Sequence, residues 1–119
     1  MDVKKICTVL PYPIGISVNH CWKRSGNKTF LAPAVRRYRQ EVWVAMGSWV
    51  SFNDEPVRVE IGMFPPDKRR RDADNILKVV LDALCHAGTL ADDSQIMQLY
   101  VQKFPPVKGG KLDLTIISL

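Results

Sequence analysis

Val57-Arg58-Val59-Glu60-Ile61-Gly62-Met63-Phe64-Pro65-Pro66 is the stretch whose reading decides the fold. Val57, Val59, Ile61 and Met63 alternate with Arg58, Glu60 and Gly62, the pattern of a half-buried strand whose side chains point to opposite faces in turn. Phe64-Pro65-Pro66 ends it, because proline donates no ladder hydrogen bond. A short charged segment follows, and then the period changes. From about Asp74 to Ala87 the apolar residues Ile76, Leu77, Val79, Val80, Leu81, Ala83 and Leu84 spread around a helix. Gly88 closes it in the position glycine favours just past a helix end.

Working outward, Asn53-Asp54-Glu55-Pro56 reads as a turn. Before it, Pro33 suits the first turn of a helix, and Val35, Tyr38, Val42, Ala45, Met46 and Trp49 recur every three or four residues as one buried face running to about Val50. Arg36, Arg37, Arg39 and Gln40 fall largely off that face and read as solvated surface. Val3 to Leu10 is a first strand ended by Pro11-Tyr12-Pro13. A polar loop then runs to about Ala32; its Asn19, Trp22, Lys23, Arg24 and Lys28 suit either a nucleic-acid backbone or plain solvent. Beyond the second helix, strands are expected near Ile96–Phe104 and Leu112–Ser118, joined by Pro105-Pro106-Val107-Lys108-Gly109-Gly110 as a hairpin loop. The order strand, helix, strand, helix, strand, strand predicts a single α+β domain spanning residues 1–119. Its mixed β-sheet of about four strands is covered by two main helices.

The 119 residues suffice for one core, and 46% apolar with 24% charged residues is a globular balance. No run approaches the ~18 apolar residues of a membrane span. The first residues lack a signal-peptide run, so the expected location is cytoplasmic. Cys7, Cys21 and Cys85 show no C-x-x-C spacing and read as reduced thiols, with no structural zinc. The net charge of +5 is uneven: residues 1–52 hold eight Lys/Arg against two Asp/Glu, residues 53–119 nine against ten. A basic half suits a polyanionic partner.

The chemistry concentrates between strand and helix, in Asp67-Lys68-Arg69-Arg70-Arg71-Asp72-Ala73-Asp74-Asn75. Four consecutive cations can hold phosphates. Asp72 and Asp74 offer hard oxygen ligands of the kind Mg²⁺ takes, one or two carboxylates with waters or phosphate oxygens completing its shell. The competing reading makes one of them the cap of the helix N-terminus. Asp74, Lys78 and Asp82 then follow at i, i+4 and i+8, with Asn75 and His86 near the same line. The helix is therefore apolar on nearly every side, with its polar groups confined to one stripe. That stripe is either functional or a chain of surface ion pairs. Neither histidine sits in a metal-ligand pattern.

Asp92-Asp93 supplies a second acidic pair just before a strand, and a third carboxylate would complete a metal site. The helix from Asp74 to Ala87 advances ~20 Å. Six residue steps from Ala87 to Asp93 return at most ~20 Å. Convergence requires that residues 88–93 run straight back, that the helix be shorter, or that a second subunit supply the acid.

Together these segments resemble the RusA family of Holliday junction resolvases. The resemblance rests on Leu10-Pro11-Tyr12-Pro13, Asn19, Trp22, Tyr38-Arg39, Arg69-Arg70-Arg71-Asp72-Ala73-Asp74-Asn75-Ile76-Leu77-Lys78, Asp82-Ala83-Leu84, Ala87-Gly88, Asp92-Asp93-Ser94-Gln95 and Lys108-Gly109-Gly110. Ile14-Gly15-Ile16 departs from the proline and serine more usual there. The resemblance implies a homodimer that binds branched DNA, the four-way junction, and makes paired Mg²⁺-dependent cuts in DNA recombination and repair. It implies Asp72, Asp74 and Asp93 as metal-binding catalytic acids and Lys78 as the catalytic lysine; the choice of Asp93 over Asp92 is the resemblance's alone. Lys68, Arg69, Arg70, Arg71 and Asn75 are the expected DNA contacts. The rival readings are a non-enzymatic basic DNA-binding module, whose acids only cap and pair, and a metal-dependent nucleotide phosphohydrolase.

Overall fold

The computed structural model describes residues 3–14, 16, 22–47, 50–71 and 73–119, with the backbone alone for Trp22, Lys23, Lys28, Phe30 and Asn75. The elements in chain order are β1 (Lys5–Leu10), β2 (Trp22–Ser25), β3 (Lys28–Leu31), α1 (Pro33–Met46), β4 (Val57–Phe64), α2 (Asp74–His86), β5 (Ile96–Lys103) and β6 (Lys111–Ser118). The main sheet has the order β1-β6-β4-β5. β6 is antiparallel to both β1 and β4, while β5 is parallel to β4, so the sheet is mixed. The expected α+β architecture of four strands and two helices is what forms.

The alternation of β4 sets the layers. Val57, Val59, Ile61 and Met63 are buried, and the register Val59↔Ile116, Ile61↔Leu114 and Met63↔Leu112 puts the buried residues of β6 on the same face. Val35, Tyr38, Val42 and Met46 of α1 and Ile76, Val79, Val80, Ala83 and Leu84 of α2 complete that core. A slip of one residue would turn every one of these strand side chains outward, so burial itself fixes the register. The other sheet face stays open to solvent. There Arg58 pairs with Glu60 at 3.1 Å and lies over the Tyr100 ring. Among the described residues no helix is long and apolar enough to cross a membrane.

Three expectations are corrected. The polar loop before Ala32 contains a hairpin, β2 pairing antiparallel with β3 as a separate two-stranded sheet. Its signal was Gly26-Asn27, a two-residue turn with Gly26 at φ 60°. The first helix stops at Met46 rather than Val50, because Gly47 adopts φ 75° and donates its N–H back to the Trp43 carbonyl. Ala45, still within the helix, is exposed beside the buried line Val35, Tyr38, Val42 and Met46, and Trp49 lies outside the described residues. Lastly, residues 105–110 form no hairpin loop. β5 stays at the sheet edge beside β4, while β6 crosses to the slot between β1 and β4. Only there are both of its edges paired and its alternating residues Leu112, Leu114 and Ile116 covered.

Two adjacent residues test this layering. Ile61→Ala, which empties a core position, should cost about 2–5 kcal/mol in urea unfolding. Glu60→Ala, on the open face, should cost no more than about 1 kcal/mol. Equal losses would contradict the assignment of faces.

Candidate active site

α2 exposes one narrow line. Ile76, Val79, Val80, Leu81, Ala83 and Leu84 are buried, Asp82 is half-buried, and Asp74, Lys78 and His86 are exposed. The N-cap position is taken by Ala73, without a side-chain cap. Asp74 is thus the first helical residue and not the cap, where its charge is favoured by the helix dipole. Asp72 lies outside the described residues, as does the side chain of Asn75.

The route by which the second acidic pair comes back is built from backbone hydrogen bonds. Gly88 turns the chain at φ 81°. Thr89 and Leu90 donate their N–H groups to the Leu84 carbonyl, Phe52 donates to Thr89 O, and Ala91 donates to Asn53 O. A single 3₁₀ turn, Asp93–Gln95, follows. Gln95 is buried and fixes this turn from both ends of its carboxamide. Its Oε1 accepts from the N–H groups of Ala91 (2.8 Å) and Asp92 (3.1 Å), and its Nε2 donates to the Glu55 carbonyl at 2.7 Å. Asp92 is occupied as the cap of the turn, accepting from Ser94 N at 3.0 Å. Asp93, the next residue, turns its carboxylate to Lys78, with Oδ2 3.2 Å from Nζ. The helix ends at His86, a residue before the expected Ala87, and within one chain Asp93 meets the stripe at Lys78, one turn beyond Asp74.

Lys78 is held on two sides, 2.8 Å from Asp82 and 3.2 Å from Asp93. The hydrogen bond to Asp82 first, and that to Asp93 second, hold its pKa above the ordinary lysine value. It is therefore an ammonium at neutral pH, a donor and a charge rather than a base. As exposed pairs these contacts add only about 0.3–0.5 kcal/mol each to stability. Their main effect is to fix where the ammonium sits. Burial, followed by the charges of Asp93, Asp82 and Asp92, raises the Cys85 thiol, which makes it a poor nucleophile. An open pocket of about 430 Å³ is lined by Arg39, Lys78, Asp82, Cys85, His86, Asp92 and Asp93. Arg39 belongs to α1 and was expected on solvated surface. Instead it is half-buried between the helices. Its period off the apolar face of α1 hid this, because the period does not tell which flank meets α2.

The four cations are not equivalent. Lys68, Arg69 and Arg70 are exposed, whereas Arg71 is half-buried and bound to Asp67, with Nη1 2.7 Å from Oδ1. Asp67 also accepts from the backbone N–H of Arg69, and Lys103 donates to the Arg71 carbonyl at 2.7 Å. Arg69, Arg70 and Arg71 line a small pocket of about 130 Å³ with Tyr12, Pro65 and Lys103. Among the described residues no three His, Cys, Asp or Glu side chains are grouped to hold a metal. Asp74 and Asp93 nevertheless bring hard carboxylate donors to one stripe, and Mg²⁺ requires only one or two from a protein. The donor chemistry fits.

Gln95→Ala would leave the Asp92 N–H and the Glu55 carbonyl without their protein partner, while the Ala91 N–H keeps Asn53 O, and should cost about 1–3 kcal/mol in chemical denaturation. A loss within error of zero would show that the turn does not depend on it. The Arg71 hydrogen bond, reinforced by the Arg69 N–H, lowers the Asp67 carboxyl from the ordinary 3.8 to about 2. The stabilisation this represents is complete above the ordinary value and disappears as pH falls through about 2. Carboxyl NMR should find that midpoint, and Arg71→Gln should return it toward 3.8.

A family model described as endodeoxyribonuclease RusA matches residues 11–117. A protein of Enterobacteria phage HK97 named crossover junction endodeoxyribonuclease rusA is 37% identical over 113 residues, covering 93% of this chain and 92% of that protein. The protein of the same name from Enterobacteria phage 82 is 37% identical over 112 residues, and that of Escherichia coli strain K12 is 35% identical over 112 residues. Each of these two alignments covers 92% of both partners. A match of that extent, taking in both helices and β4 to β6, establishes that the chain belongs to the RusA endodeoxyribonuclease family.

Proposed function

We propose that the chain is a Mg²⁺-dependent, structure-specific endodeoxyribonuclease that resolves four-way DNA junctions by paired phosphodiester hydrolysis, in the cytoplasm, during recombination and repair. The observation that carries this reading is the meeting of Asp93 with Lys78 on the stripe that begins at Asp74. A carboxylate and an ammonium so placed, flanked by exposed cations, suit a phosphodiester better than a surface ion-pair chain would. Asp72, Asp74 and Asp93 would hold the cation. When bound, it supplies an activated water for in-line attack and offsets charge on the phosphoryl oxygens.

The chain's own groups divide the remaining work. Lys78, kept protonated and aimed by Asp82, offers a proton or a positive charge to the phosphoryl or leaving oxygen. Asp92, committed to its cap, orders the turn that presents Asp93. Lys68, Arg69 and Arg70 reach into solvent and are suited to neighbouring phosphates. Arg71, through Asp67, braces the loop that carries them and is less available for DNA. Asn75 completes the expected contacts. One such site per chain makes only one cut, so symmetric resolution implies a homodimer with a two-fold axis matched to the junction.

The test is a labelled synthetic four-way junction incubated with the protein and Mg²⁺. Paired, symmetric nicks are expected from the wild type. Asp72→Asn should lose cleavage by about 10³-fold or more while retaining junction binding, as expected when a group acts on the transition state rather than on the ground state. Lys78→Ala should do the same with an unchanged fold. Binding without nicks across metals and pH would support the non-enzymatic rival. Turnover of mononucleotides without junction affinity would support the phosphohydrolase.

A further inference from the structure

Among the described residues, Arg39 is the one member of this pocket that comes from α1, and nothing in the β4-to-α2 segment calls for it. Three carboxylates, Asp82, Asp92 and Asp93, line the same pocket. Asp82 and Asp93 are both engaged by Lys78, and Asp92 is turned to the Ser94 N–H. Arg39 forms no ion pair with any of them among the described residues. Its Nε is shielded from solvent and has no hydrogen-bond partner. Val35 and Val42, about one turn to either side on the same helix, are buried, so Arg39 lies beside the apolar face of α1.

The charge balance explains why such a residue is needed. A phosphodiester entering this pocket meets two carboxylates already paired with Lys78, the only other Lys or Arg lining it among the described residues. The ammonium is compensated, so a phosphate would find little net attraction from the helix stripe alone. A guanidinium with no ion pair among the described residues adds a positive charge that Asp82 and Asp93 do not already hold. Its planar fork of donors matches two oxygens of a tetrahedral phosphate, which an ammonium cannot do. An arginine placed only for packing would ordinarily have its Nε paired or solvated.

We propose that Arg39 is a catalytic residue that binds the non-bridging oxygens of the DNA phosphate in this pocket, acting from α1 across from Lys78. The inference rests on the junction-nuclease reading and adds to it a cation from the first half of the chain. Arg39 would steady the phosphate while Lys78 acts on it, so its loss should fall on the rate at saturating protein more than on junction affinity.

The experiment compares wild type, Arg39→Ala and Arg39→Lys on a labelled four-way junction in Mg²⁺ under single-turnover conditions, with melting curves to verify the fold. Junction Kd is measured separately without divalent metal. Arg39→Ala should cut about 10²-fold more slowly, the loss typical of removing one preorganised donor. Its junction Kd should rise no more than about threefold, one phosphate contact among many. Added guanidinium ion, against an equal concentration of potassium chloride, should restore part of the rate, and Arg39→Lys should lie between the two. An Arg39→Ala protein cutting within about threefold of wild type, well short of the loss of a donor, would overturn the proposal. So would a slow one that neither guanidinium nor lysine improves, because that pattern belongs to packing. A wild type that binds the junction but never nicks it removes the nuclease reading and this inference together. A cutting wild type with an unaffected Arg39→Ala removes the inference alone.

Discussion

Among the described side chains of α2 only one line faces water, and the remainder of the molecule is arranged around that restriction. Its apolar residues occupy so much of the circumference that the helix must be enclosed by the sheet, by α1 and by the segment that returns after Gly88. Charged groups can then survive only where the enclosure leaves a gap. Asp74, Lys78 and Asp82 fall in that gap because they are spaced by one helical turn. Their alignment is a by-product of burying everything else, and it delivers carboxylates and an ammonium to one opening without a dedicated scaffold.

What crosses the gap is held by backbone polarity. The return segment contains two neighbouring acids with the same chemistry, and the capping requirement of a one-turn helix separates their roles. The first is consumed by the N–H of Ser94, and the second is left to reach the lysine. The side chain that enforces this, Gln95, carries no charge and sits beneath the surface. Unsatisfied buried amides cost about 1–3 kcal/mol each, several times an exposed ion pair. The geometry of the acid is therefore governed by the amide hydrogen bonds below it more than by its attraction to Lys78.

Much of this was legible in the residues. The alternation of Val57 to Met63 and the crowded apolar period from Ile76 to Leu84 specify a strand and an enclosed helix, because both patterns arise from burial of one known face. Gly88 and Pro33 mark helix limits for reasons of backbone geometry that do not depend on context. Other features were settled by partners far away in sequence. The position of β6 between β1 and β4 depends on which edges remain open after β4 and β5 pair, and no local pattern encodes that. The Gly26-Asn27 turn and the stop at Gly47 were visible as dipeptides but were outweighed by the polarity of one region and the extended apolar period of the other. Arg39 was the least legible, since its meaning lies in the packing of α1 on α2. The reach of Asp93 lay between these extremes, bounded by chain length and decided by hydrogen bonds to Asn53, Phe52 and Glu55.

The sheet order also governs when the molecule can become itself. β6 follows the other five described strands in the chain, yet it occupies an interior slot, with Lys5 paired to Ile117 at a long sequence separation. Until it arrives, β1 and β4 each present an unsatisfied edge, and the apolar face of β4 has no neighbour on one side. The β4-α2-β5 unit, which carries most of the pocket, can close locally beforehand, but α1 and its arginine cannot be locked against it while β1 is adrift. Sheets completed by such distant pairing are slow to nucleate. In this chain the pocket's two sides, from α1 and from α2, would be fixed together only after β6 has been made and has entered its slot.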